Sequence, residues 1–120
     1  FTAKSEILRG HCERLGTSFD AITRSSNYNT VIGRDETEVA ERIAAIEARL
    51  ERFIGAERAT KAVADLRNGT GLAGTSEQII ERLLAMQQLG MTYAITYFAE
   101  AAYDTSGIEL FEKEVMPALL

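Results

Sequence analysis

Apolar and polar positions alternate along this chain in two rhythms, one helical and one extended. From Thr2 to Leu15 the apolar residues Ile7, Leu8, Cys12 and Leu15 recur at helical spacing, and Gly16 follows as a stop. Gly10 weakens that helix by about 1 kcal/mol relative to alanine. Asp20–Gly33 carries the β-formers Ile22, Thr23, Tyr28, Thr30, Val31 and Ile32 around a polar middle, Arg24 to Asn29. This is a strand that ends in a solvent-lined site or is interrupted by a turn. Asp35, with Glu38 three residues on, opens the longest helix in the manner of a capping box. Val39, Ile43, Ile46, Leu50 and Phe53 form its stripe, Glu38 and Arg42 are spaced to pair, and Gly55 ends it. The stripe spans about two heptads, too short to argue a coiled coil.

A shorter helix over Glu57–Arg67 turns Ala59, Ala62, Val63 and Leu66 inward. The glycine-containing loop Asn68–Gly74 has room for a very short strand around Leu72 and Ala73. Thr75 and Gln78 then spell a capping box for a helix whose apolar face is Ile79, Ile80, Leu83, Leu84 and Leu89, with Gly90 placed for a left-handed C-cap. Thr92–Phe98 is uncharged, aromatic and β-branched, the composition of a strand buried on both faces. Ser106 and Glu109 form a third capping-box pattern. It leads into a last helix with Ile108, Phe111, Val115 and Leu119 inward and Pro117 in or just after the final turn. Strands alternating with helices predict an α/β fold with a mainly parallel sheet. Two or three strands leave sheet edges that need cover.

Composition narrows the function. The chain has 120 residues, enough for one domain with a real core. Its 18 acidic against 13 basic residues give a net charge of −5, which argues against a general nucleic-acid partner. No apolar run reaches the length of a membrane span. No signal peptide is visible, and a single cysteine suits a reducing, cytoplasmic setting. The first residue is Phe1 and a helical pattern starts almost at once. Hence the expectation that the chain is a piece of something longer.

Candidate chemistry is sparse. Thr75 and Ser76 stand at a helix N-terminus after a glycine-containing loop, a place able to bind an anion, although a plain cap explains the same residues. Tyr93, Ile95 and Tyr97 fall on one side of the last strand and Ala94, Thr96 and Phe98 on the other. The aromatics suit core packing, and Glu100 reads as a solvated loop acid. Arg24, Ser25, Ser26, Asn27 and Asn29 suit either a site mouth or an exposed turn. His11 and Cys12 are adjacent on a helix and point about 100° apart. With no second His/Cys pair, no metal site and no Cys/His nucleophile pair are expected.

Three stretches resemble the C-terminal end of luciferase-like monooxygenases, more narrowly those that are flavin- or coenzyme F420-dependent oxidoreductases, including methylenetetrahydromethanopterin reductase-type proteins. They are Gly74-Thr75-Ser76-Glu77, with Ser76 in the family's usual proline place, and Leu110-Phe111-Glu112-Lys113-Glu114-Val115-Met116-Pro117. The third is LRGHCERLG followed by FDAI near the N-terminus. The resemblance covers nearly the whole chain. It implies a partial (β/α)8 TIM barrel of which residues 1–120 supply the last two to three βα units. Strand six would lie in the 22–32 region, strand seven near 70–74 and strand eight at 92–98. A complete barrel takes about 250 residues, so this one would be completed by other strands or by self-association. The resemblance further implies FMN or coenzyme F420 as cofactor and a small-molecule substrate in the parent enzyme. Thr75, Ser76 and Tyr97 are the expected cofactor-binding residues, and no residue of this chain is expected to be catalytic. The alternative is a non-catalytic α/β fragment that acts through self-association or assembly, and a homo-oligomer is expected.

Overall fold

A computed structural model describes residues 1–120. In chain order it has α1 (Thr2–Leu15), a short 3-10 turn (Phe19–Ala21), β1 (Ser25–Gly33), α2 (Glu36–Ile54), α3 (Ala56–Asn68), β2 (Leu72–Thr75), α4 (Ser76–Gln88) and β3 (Tyr93–Tyr97). A final helical run follows, made of α5 (Ser106–Leu110), a π-helical segment (Phe111–Val115) and α6 (Met116–Leu119). The chain is therefore an α/β fold, rich in helix, with a small parallel sheet. No helix is long and apolar enough to cross a membrane.

The three strands lie in the order β2-β1-β3. β1 is nine residues long and divides its partners between its two halves. Thr30–Gly33 pairs with Leu72–Thr75, and Ser25–Asn29 pairs with Tyr93–Tyr97, both parallel. Successive residues of a strand point to opposite faces, and two separate cores result. On one face Val31 packs with Val39, Ile43 and Ile46 of α2 and Val63 of α3. On the other, Tyr28 and Ile32 pack with Leu72, with Ile79 and Leu83 of α4, and with Met91, Phe111 and Val115. Helices thus cover both faces of the sheet where β1 meets β2.

Two features differ from the arrangement expected of consecutive barrel strands. In a barrel each strand lies beside its neighbour in sequence and the helices form one outer ring. Here β3 lies beside β1 rather than β2, and helices pack on both faces. The physical reason is closure. Three strands cannot close on themselves, so the apolar side chains on each face of β1 are buried only if each face receives its own helices.

The helix boundaries follow local chemistry. Asp35 accepts the Glu38 backbone N–H at 2.8 Å, starting α2. The reciprocal bond of a capping box is displaced by one residue, because the Glu38 carboxylate accepts the N–H of Arg34. At α4 both halves of the capping box are present between Thr75 and Gln78. Gly90 has φ 98°, in the left-handed region expected of it. At α5 the expectation fails. Thr105, not Ser106, is the N-cap, and the Glu109 N–H donates to the Thr105 backbone carbonyl with no side-chain cap; the Ser106 N–H donates to Asp104 and its hydroxyl accepts from Arg42.

Two expected burial patterns also change. β3 was expected to be covered on both faces, yet Tyr93 and Tyr97 are 57% and 53% exposed. The strand ends the sheet, and no helix of the chain lies over their side. On α1 only Cys12 is buried, while Ile7 and Leu15 are 62% and 76% exposed. The α1 stripe has the right period but little for it to pack against.

Candidate functional site

The polar run at the start of β1 divides by parity. Ser25, Asn27 and Asn29 are exposed on one face, whereas Ser26 and Tyr28 turn toward the core. Across the parallel ladder, Ser25 is in register with Tyr93, Asn27 with Ile95 and Asn29 with Tyr97. Six side chains from two strands therefore line one sheet face without a helix over it. This face alternates hydrogen-bonding groups with two phenol rings and one aliphatic side chain. None of the six is a carboxylate, amine or imidazole.

Arg24, the run's one charged member, is structural. Its Nε donates to the Gly90 carbonyl at 2.7 Å, and its Nη1 donates to the carbonyls of Phe19 and Ile22. The guanidinium also stacks 4.3 Å from the Phe19 ring centroid. It ties the entry of β1 to the end of α4.

Thr75 and Ser76, the expected phosphate contacts, lie some way from that chemistry. The Thr75 hydroxyl accepts the Gln78 N–H, and the Thr75 N–H donates to the Gln78 side chain. Ser76 is buried and its hydroxyl donates to the Glu114 carboxylate at 2.5 Å. The start of α4 thus already holds a negative group, and Gln78 Nε2 donates to a second carboxylate, that of Glu36. An incoming phosphate would meet these carboxylates and no lysine or arginine bonded to Thr75 or Ser76. In this arrangement the two residues do not fit the phosphate end of FMN or F420. Tyr97, the third expected contact, lies on the bare face of β1 and β3, apart from them.

One polar cluster was only half legible in the sequence: the expected Glu38–Arg42 pair forms, but its partners from the far end of the chain were not foreseen. Arg42 of α2 donates to Glu38 and Ser106 through Nη2, at 2.9 and 2.8 Å, and reaches Glu100 and Asp104 through Nη1, at 3.4 and 3.5 Å. Its Nε is buried without a partner. Glu100, expected to be a solvated loop acid, is 5% exposed. The correction has a simple cause. The loop after β3 folds back over the end of β1, where Arg42 supplies the countercharge that permits burial. The signal available in the sequence was α2's inward-facing arginine, and nothing local to Glu100 pointed to it.

The cluster's electrostatics are those of a clasp. The Glu38 carboxyl is lowered to about 2, chiefly by the backbone N–H of Arg34 and then by the Arg34 and Arg42 side chains. Hydrogen bonds from Ser106 hold Asp104 below the usual carboxylate range. Burial pulls the Arg42 guanidinium down, and the Glu38 hydrogen bond with the charges of Glu100, Glu38 and Asp104 outweighs it, so the group stays firmly cationic. A cation already fills the centre of these carboxylates, and no group of three or more His, Cys, Asp or Glu side chains is arranged to hold a metal ion. The His11 ring is taken up by Arg14, 2.6 Å away, and Cys12 is buried.

An open groove of about 400 Å³ runs between α4, β3 and the chain's last turn, lined mostly by apolar side chains including Leu83, Met91, Phe111 and Leu119. No protein-family model matches the chain, and no curated protein matches it.

Proposed function

We propose that the chain is the C-terminal segment of a luciferase-like, flavin- or F420-dependent oxidoreductase, and that it contributes one wall of the cofactor and substrate pocket. The bare face of Ser25, Asn27, Asn29, Tyr93, Ile95 and Tyr97 carries this reading. A planar ring system with polar edges needs a flat wall of aromatic surface beside hydrogen-bonding groups, and this face supplies both. The motifs at Gly74–Glu77 and Leu110–Pro117 add the resemblance. The contribution is positional. In such enzymes the cofactor performs the redox step and the protein orients it. On this reading β2 would exchange its present place for one between β1 and β3 when the other strands of a barrel are present.

The test is titration of the chain with FMN and with F420. Quenched, shifted cofactor fluorescence that weakens in Tyr97→Ala supports the reading. Absence of binding at about 1 mM cofactor, where a site worth roughly 4 kcal/mol would be half filled, removes it for this chain.

A second reading, a non-catalytic α/β module acting through assembly, is favoured by one observation. The chain exposes 7914 Å², whereas a compact monomer of its 13.2 kDa exposes about 6,400 Å². Its radius of gyration is 16.7 Å, against about 14 Å for a compact domain of this length.

A further inference from the structure

We infer that β3 is a self-association edge, through which two copies of this chain join their sheets antiparallel about a two-fold axis at Ile95. The inference rests on the assembly reading and names its surface. β3 ends the sheet, so the backbone donors and acceptors of its outer side have no strand partner. Natural edge strands are usually protected by charges, proline or bulges. From Met91 to Phe98 this one has no charged residue and no proline.

The strand is also self-complementary. Pairing about Ile95 places each Tyr93 opposite the partner's Tyr97 and the two Ile95 side chains together, a cross-strand arrangement that stabilises antiparallel sheets. A contact of this kind presents the same patch from both copies and closes at two. The resulting sheet has six strands with β3 at its centre. Because the axis stands perpendicular to the sheet, the partner's Ala94 and Thr96 emerge on the side of the apolar groove beside α4 and extend it across the junction.

α1 is the rival surface, since Ile7 and Leu15 are exposed. The backbone of α1 is satisfied within its own helix, however, so docking there gains no hydrogen bonds, whereas docking at β3 completes a ladder.

Light scattering after size exclusion, at roughly 100 µM chain so that micromolar dimers are populated, is expected to give twice the chain mass. Ile95→Lys, which sets like charges opposite each other at the axis, is expected to halve it with helical circular dichroism retained. Ile7→Lys is expected to leave the dimer intact. Ile95→Cys is expected to form an oxidised cross-link between copies, and Ile7→Cys is not, which tests the geometry even if the lysine variant unfolds. A dimer that survives Ile95→Lys, or that cross-links no better at 95 than at 7, overturns β3 as the interface. A monomeric wild-type chain overturns the assembly reading with it.

Discussion

Arg42 and Glu100, 58 residues apart in the chain, meet as an ion pair with Nη1 3.4 Å from Oε2 and side chains only 10% and 6% exposed. Through this pair the longest helix and the loop after the last strand are held together over the end of β1. Its importance lies in the cost of breaking it. Both charges have left water, and neither tolerates losing the other.

Arg42→Met is therefore expected to destabilise the chain by about 3–5 kcal/mol, the range for stranding one member of a buried pair. The double variant Arg42→Met with Glu100→Leu should recover much of that loss. Urea denaturation of the single and double variants measures both. A loss within about 0.5 kcal/mol for Arg42→Met, the range of an ordinary surface substitution, would contradict the clasp.

Glu38 sets an acid dependence. Its folded pKa of about 2 lies below the ordinary 4.5, so the unfolded chain binds more protons between those values. The stabilisation is complete above the ordinary value and disappears as the pH falls toward 2. After solvent screening it amounts to roughly 1–2 kcal/mol. Glu38→Gln should flatten the acid limb of a plot of urea midpoint against pH, whereas Glu41→Gln, at an exposed site on the same helix, should not.

The capping box at α4 is complete, so Thr75→Ala should remove about 1 kcal/mol. The loss should be local. Amide exchange is expected to accelerate at the first turn of α4 before it does so in α2. Thr75→Asp, which keeps an acceptor at the cap, should restore protection.

Two glycines should respond to alanine with opposite signs. A Cβ on Gly33 would lie 2.8 Å from the Val39 nitrogen and 2.9 Å from its Cγ2, where β1 passes beneath α2. Gly33→Ala is expected to cost about 1–3 kcal/mol by overpacking. On Gly10 the nearest atom outside the local helix backbone is the far end of Arg14, 3.9 Å away. Gly10→Ala should therefore stabilise α1 by up to about 1 kcal/mol. Thermal melts of the two variants compare them directly.

Most of the element boundaries were legible because they are written locally. Gly16, Asp35, Thr75 with Gln78, and Gly90 act on backbone within a few residues of themselves. What the local pattern left open was pairing. Nothing in Tyr93–Tyr97 says whether its neighbour is β1 or β2, and an uncharged aromatic strand reads as core whether or not anything covers it. The same limit hid the clasp, since Glu100 looks like any loop acid until Arg42 is brought to it. Of the expected site residues, Tyr97 shares a face with the polar run of β1, a relation that depends on register. Thr75 and Ser76 were recognisable as helix-start residues, but the Glu114 carboxylate beside Ser76 comes from a helix 38 residues further on.

The divided pairing of β1 also sets an order of events. Its second half waits for β2, through the register Thr30↔Leu72, and its first half waits for β3, through Ser25↔Tyr93. The later pairing closes the longer loop, and non-local pairings of that kind form slowly. During synthesis, the first half of β1 therefore emerges well before its partner and stays without a parallel neighbour until β3 has been made.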